Sequence, residues 1–289
     1  MSETEGNVEE GFLDAPDGLR IGWRRWSPTG ETRGVVVVLH GIGEHGGRYG
    51  EVATRFNDAG YVVAAMDFRG HGRSGGRRGD TRIPPSLSDI DLMLGQEAQR
   101  NSGRPLFLYG HSLGGLIAFL YALDRNPDLA GVVLTGPAFH TVLREQRVKV
   151  AVARALGSAI PGLTLGSGLP QDLLNRDPAV RAAYKEDPLV HDRASAGFAR
   201  GALLAQERCE AEAHHFRLPL LIAHGGADGI NLLAGSETIA AAVPEDCTLT
   251  VYDGVYHALE HEPEMPQIID DVIAWMDIHR GRDGKSVQA

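Results

Sequence analysis

Residues 105–115 read Pro-Leu-Phe-Leu-Tyr-Gly-His-Ser-Leu-Gly-Gly. Leu106 to Tyr109 form a short apolar run between Pro105 and Gly110, the pattern of a buried strand. From about Leu113 to Arg125 the apolar residues Leu116, Phe119, Leu120 and Leu123 recur at helical spacing. The link between them, Gly110-His111-Ser112-Leu113-Gly114, matches G-x-S-x-G. A strand that turns straight into a helix strains its middle residue and exposes that side chain at the bend. Glycines at both ends remove the Cβ atoms that would otherwise collide. Ser112 is therefore expected at a helix N-terminus, where free N–H groups favour developing negative charge. The bland alternative is a serine in an ordinary glycine-rich turn, but the strand–turn–helix context favours a nucleophile.

Strands and helices alternate around this segment. Val35-Val36-Val37-Val38-Leu39, within 34–40, suits a strand buried on both faces. A helix over about 48–59 follows, ended by Gly60 as a C-cap, and 61–67 is the next apolar strand. The pattern continues with a helix at 85–101 and a strand at 131–135. After a gap it resumes with a strand at 218–223, a helix at 236–243, a strand at 247–252 and a closing helix at 263–280. Leu19 to Trp26 alternates as an early, antiparallel edge strand. This rhythm predicts an α/β fold, a mostly parallel central sheet with helices on both faces. The alternation breaks over 139–216, where helices and loops without strands are expected. That stretch is read as an insertion between core segments 11–138 and 217–280, with 1–10 and 281–289 as disordered tails.

The formal net charge of -10 argues against a nucleic-acid partner. The basic clusters at 69–82 and 144–149 are short and interrupted, and are read as solvated faces. Cys209 and Cys247 imply no disulfide framework and suit a reducing compartment. The first ten residues are polar and acidic, so no signal peptide is expected, and no apolar run is long enough to span a bilayer. A cytoplasmic protein is expected, its oligomeric state open.

A serine hydroxyl needs a base to remove its proton, and the base needs a carboxylate to fix its tautomer. With a G-x-S-x-G elbow these arrive in the order Ser, Asp/Glu, His, each after a strand. Asp228 fits the acid, just past the 218–223 strand, and His257 fits the base, after the 247–252 strand. Alone, a post-strand Asp is often a helix cap and a loop His merely solvated. Competing acids are Asp253 and Glu260; competing bases are His224 and His261. The backbone N–H groups of Leu113 and of Ile42, in the loop after the 34–40 strand, are the expected oxyanion donors.

Two other motifs compete. Gly41, Gly43 and Gly46 spell G-x-G-x-x-G after a strand, with Asp67 about twenty residues on, which taken alone is a dinucleotide-binding fingerprint of an NAD-dependent oxidoreductase. Glu44 would place a carboxylate beside the pyrophosphate, and that reading leaves Ser112, Asp228 and His257 without work. His257-Ala258-Leu259-Glu260-His261 matches the H-x-x-E-H zinc motif, but Pro263 disfavours the regular helix it requires. Neither a cofactor nor a metal is expected.

His40-Gly41-Ile42-Gly43-Glu44-His45-Gly46-Gly47-Arg48-Tyr49 resembles the H-G-x-G-E-H-x-x-R-Y block of monoacylglycerol lipases and their lysophospholipase-like relatives. Asp67 to Ser74 is similar to the family's D-x-R-G-H-G-x-S segment, and Gly110–Gly115 to its elbow. Gly226-Ala227-Asp228 and Tyr256-His257 match its acid and base blocks. The resemblance implies an α/β-hydrolase fold with a helical cap, a serine esterase mechanism without cofactor, and monoacylglycerols or similar single-chain esters as substrates. A general carboxylesterase or a lysophospholipase is the near alternative. By position it implies Ser112, Asp228 and His257 as the triad, with Ile42 and Leu113 as oxyanion donors. Gly229-Ile230-Asn231-Leu232-Leu233 departs from the charged and polar residues of the family at that point. In the cap, 156–169 interleaves apolar residues with Gly, Ser and Pro, which suggests a lid over an acyl tunnel or a patch that touches lipid transiently.

Overall fold

A computed structural model describes residues 7–244 and 246–281. The chain opens with β1 (Asn7–Asp14) and β2 (Arg20–Ser27), then β3 (Gly34–Leu39), α1 (Gly50–Asp58) and β4 (Tyr61–Met66). Next come α2 (Ile83–Arg100), β5 (Leu106–His111), α3 (Leu113–Arg125) and β6 (Gly131–Thr135). A long excursion holds α4 (Arg147–Ala159), β7 (Thr164–Gly166), α5 (Pro178–Glu186), β8 (Arg193–Ser195) and α6 (Ala196–Glu212). The core resumes with β9 (Leu220–Gly225), α7 (Leu233–Ala242), β10 (Cys247–Tyr252) and α8 (Met265–His279).

Eight strands form one sheet in the order β1-β2-β4-β3-β5-β6-β9-β10. From β4 to β10 all pairings are parallel; β2 runs antiparallel to β4, and β1 to β2. Side-chain alternation splits the core in two. Val35 and Val37 pack with α2 and α3 on one face, whereas Val36 and Val38 pack with α1 and α8 on the other. The strands therefore read as unbroken apolar runs because both faces are covered. Gly60 takes φ +85 just after α1, the left-handed cap geometry expected of it.

Four expectations need correcting. Residues 7–10, assigned to a tail, belong to β1, which pairs along its length with β2. β2 is antiparallel as expected but is not the edge, because β1 covers it. The excursion is not free of strands, since β7 and β8 pair as a short antiparallel ribbon from Thr164↔Ser195 to Gly166↔Arg193. Arg69, read as part of a solvated face, is buried, with its guanidinium on the Asp89 carboxylate at 2.5 and 2.7 Å. Residues 1–6 and 282–289, also expected to be tails, lie outside the described residues. Among the described residues no helix is long and apolar enough to cross a membrane.

Candidate active site

Ser112 occupies the bend between β5 and α3 with φ 53 and ψ -113. A non-glycine residue held there costs on the order of 1–3 kcal/mol and needs support from its surroundings. Its N–H donates to Thr135 O at 2.9 Å, and its carbonyl accepts from Leu116 and Ala138 at 3.1 and 3.0 Å. The flanking glycines are steric necessities: a Cβ on Gly110 would strike the Gly114 carbonyl, and one on Gly114 would strike Leu39 O.

Parallel β9 and β10 follow β6 in the sheet order, and the loops after them bring Asp228 and His257 to this bend. His257 Nδ1 lies 2.7 Å from Asp228 Oδ2, and its Nε2 lies 2.9 Å from Ser112 Oγ. A carboxylate only accepts, so Nδ1–H donates to it and Nε2 turns its lone pair to the Ser112 hydroxyl. Burial disfavours charge on His257, but the Asp228 carboxylate and its hydrogen bond, helped by Glu260 and Glu44, outweigh it and raise the ring's pKa. Burial would raise Asp228 in turn; the His257 charge and hydrogen bond bring it below the ordinary carboxylate range. Asp228 Oδ1 accepts the Ile230 and Asn231 amides at 2.8 and 2.9 Å, so the unusual residues at 229–233 leave the carboxylate held through their backbone.

Two of the competing groups, His224 and Glu260, have other hydrogen-bond partners. His224 bonds Ser236 Oγ and Asn231 O. Glu260 is buried and accepts from Tyr109 Oη at 2.6 Å and from Thr135 Oγ1, with His111 Nδ1 3.1 Å from its other oxygen. His257, Glu260 and His261 thus do not form a common helical face: Leu259–His261 is a single 3-10 turn. In the glycine loop, Glu44 Oε1 takes the Gly41 N–H at 2.7 Å and the Tyr49 hydroxyl at 2.9 Å. The Gly41 amide, which the dinucleotide reading would turn to the pyrophosphate, is thus paired with the chain's own carboxylate. Sequence reasoning missed Asn231, whose Nδ2 donates to Gly136 O at 2.7 Å and lies 3.4 Å from Ser112 Oγ. Its place three residues after Asp228 was the available signal.

Two cavities meet at Ser112 and Ile42. The larger, about 440 Å³, runs beneath α4 and α6 and is lined largely by apolar side chains, among them Leu113, Leu116, Leu156, Phe198 and Leu203. The smaller, about 30 Å³, has apolar walls from Leu169, Leu174 and Val180 among which stand the polar groups of Glu44, Arg48, Asn175, Arg181, Tyr184 and His261. Asn175 Nδ2 and His261 Nε2 are buried there without a partner among the described residues. Arg48 Nε stands 3.4 Å from Glu44 without hydrogen-bond geometry. Among the described residues the Ile42 and Leu113 amides have no acceptor.

Residues 30–264 match the family described as serine aminopeptidase, S33. A monoacylglycerol lipase of Mycolicibacterium smegmatis is 40% identical, the match covering 91% of this chain and 94% of that protein. The chain belongs to the monoacylglycerol lipase family of α/β-hydrolases. Human monoglyceride lipase, another member, is 33% identical over 89% of this chain and 85% of its own. The crystal structure of the Paleococcus ferrophilus monoacylglycerol lipase superposes with TM-score 0.82 at 36% identity, covering 88% and 98% of the two chains. A soluble variant of the Saccharomyces cerevisiae monoglyceride lipase shares the fold, with TM-score 0.85 at 24% identity over 98% of each chain. Membership of this family makes the protein a serine hydrolase.

Proposed function

We propose that the protein is a monoacylglycerol lipase in which Ser112, His257 and Asp228 carry the chemistry. Ser112 Oγ attacks the ester carbonyl while His257 Nε2 takes its proton and passes it to the leaving alcohol. Asp228 steadies the imidazolium. The Ile42 and Leu113 amides hold the oxyanion, and water then resolves the acyl-enzyme with His257 as base. The carrying observation is the unbroken hydrogen-bond chain Asp228–His257–Ser112 at the meeting point of two cavities.

Cavity chemistry supports the substrate class. The larger space lies within the roughly 300–1,000 Å³ of small-molecule sites and suits one acyl chain. At the smaller cavity, Asn175 Nδ2 and His261 Nε2, both without a partner among the described residues, offer hydrogen-bonding groups to the hydroxyls of a polyol leaving group such as glycerol. An aminopeptidase would need a carboxylate free to receive a substrate ammonium there; Glu44 is already engaged by Gly41 and Tyr49. A short-chain carboxylesterase or a lysophospholipase would use the same Ser112 chemistry and differ in what the cavities prefer.

Residues 139–216 act as the cap in this reading. Val148 and Val152 of α4, exposed at 78% and 50%, also line the mouth of the acyl cavity, a placement suited to transient contact with a lipid surface. Cytoplasmic residence fits the free thiols of Cys209 and Cys247. The test is fluorophosphonate labelling of Ser112 together with a chain-length series on p-nitrophenyl esters and monoacylglycerols. Ser112→Ala loses labelling and turnover; labelling at another residue defeats the mechanism, and a preference confined to acetate and butyrate defeats the substrate class.

A further inference from the structure

Three consecutive amides follow β3 in Gly41-Ile42-Gly43, and their surroundings differ. The Gly41 N–H donates to Glu44 Oε1 at 2.7 Å, and the Gly43 N–H donates to His71 Nε2 at 3.0 Å. The Ile42 N–H between them has no acceptor among the described residues. A free amide bracketed by two anchored ones is what an oxyanion donor requires, because a preorganised donor need not turn as charge develops.

Both anchoring groups are kept in their accepting form. Burial alone would raise Glu44, but the charges of His111 and Arg48 outweigh it and hold the carboxyl at about 2. His71 is fully buried, with Nδ1 3.2 Å from Arg69 O and 3.1 Å from Thr81 Oγ1. Thr81 gives its own proton to Arg69 O at 2.9 Å, so both neighbours accept from His71 Nδ1–H and the Nε2 lone pair is left for Gly43. Burial, followed by the neighbouring His40 and His191 rings, holds His71 well below the ordinary histidine range.

The loop is also gripped from the opposite side. Gly43 has φ +80, and its carbonyl accepts the His191 N–H at 2.8 Å from the segment that joins α5 to β8. The His191 ring packs on the His71 ring with centroids 4.5 Å apart. His71 belongs to the Asp67–Ser74 block, for which the triad chemistry has no use.

We propose that His71 is a positioning residue of the oxyanion hole, which pins the Gly43 amide as Glu44 pins that of Gly41 and so presents the Ile42 N–H to the substrate oxygen. This rests on the serine-hydrolase reading above. His71 touches no reacting atom and acts through the backbone.

Three substitutions separate the lone pair from mere bulk. In His71→Gln an amide oxygen reaches the place of Nε2; in His71→Asn it stops near the place of Nδ1; His71→Phe fills the space with no acceptor. The readouts are kcat and KM on a soluble short-chain ester, the inhibition constant of a trifluoromethyl ketone, hydrogen–deuterium exchange at the Gly43 amide, and a thermal melt. The Asn and Phe variants are expected to lose about 10- to 100-fold in kcat, since removing a donor outright loses on the order of 100- to 1,000-fold. Their KM changes by less than about 2-fold, as for an interaction made in the transition state alone. Ketone affinity falls by the same factor as kcat, and the Gly43 amide loses protection. The Gln variant stays near wild type in every readout. Full kcat in His71→Asn, or a loss in Gln equal to that in Asn, overturns the proposal. Should Phe fail to melt cooperatively, the two polar variants still decide it. Retained turnover in Ser112→Ala overturns the hydrolase reading and the proposal together. Lost turnover in Ser112→Ala beside full kcat in His71→Asn overturns the proposal alone.

Discussion

The Tyr109 hydroxyl, on the strand that leads into the Ser112 bend, donates to the Glu260 carboxylate at 2.6 Å, and Glu260 stands three residues beyond His257. One buried acid thereby joins the strand leading to Ser112 to the loop carrying His257. It also adds negative charge beside an imidazole faced by Asp228 and Glu44, with the His111 and His224 rings near. Negative charge favours imidazolium, so its removal lowers the His257 pKa. Glu260→Gln should therefore move the acidic limb of the kcat/KM profile to lower pH. A limb that stays in place would show that the carboxylate only packs.

In the wild type, His257 must be neutral to accept the serine proton, and its pKa lies above the ordinary 6.5. kcat/KM should rise with pH through one ionisation centred above that value. Asp228→Asn removes the group that fixes the tautomer and should lower kcat by about 10⁴-fold while the fold persists. Retention of more than about a tenth of the rate would point to another acid.

Glu44 predicts a component of acid stability. Its folded pKa of about 2 lies below the ordinary 4.5, so its contribution is complete above pH 4.5 and is lost as pH falls toward 2. The shift corresponds to about 3 kcal/mol. Between pH 5 and 2, denaturant midpoints of Glu44→Gln should fall less steeply than those of the wild type. Parallel curves would mean that Glu44 is no better held in the folded chain than in the unfolded one.

Ala202 lines the large cavity, along α6. Ala202→Phe should block its depth, lowering kcat/KM on long-chain monoacylglycerols by about 10-fold or more and sparing butyrate esters. Equal loss on both would place the acyl chain elsewhere.

Val148→Asp with Val152→Asp tests the proposed lipid contact of α4. Turnover of vesicle-borne monoacylglycerol should fall several-fold, whereas a micromolar soluble ester should be hydrolysed as before. A matching fall on both substrates would mean damage to the cavity mouth rather than loss of lipid contact.

Local pattern alone was enough for β3, β4 and β5, because a strand covered on both faces must be apolar throughout and its ends are cut sharply by Gly, Pro and Asp. It was enough for the Ser112 elbow too, where steric necessity ties glycine to two positions. Ser112, Asp228 and His257 could be named because each follows a strand, and parallel strands deliver their C-terminal loops to one edge. β1 was hidden because its pairing with β2 runs through backbone groups that polar residues supply equally well. β7 and β8 span three residues each, too short for any periodicity. The burial of Arg69 depended on Asp89, twenty residues away. The Gly43 anchor at His71 and the Asn231 contact at Ser112 join positions 28 and 119 residues apart. Such partners are chosen by the folding of the sheet and cap around them. The bend at Ser112 was written in short-range spacing; the shape of the cavities beside it and the grip on the Gly41–Gly43 loop came from long-range packing, which no local pattern encodes.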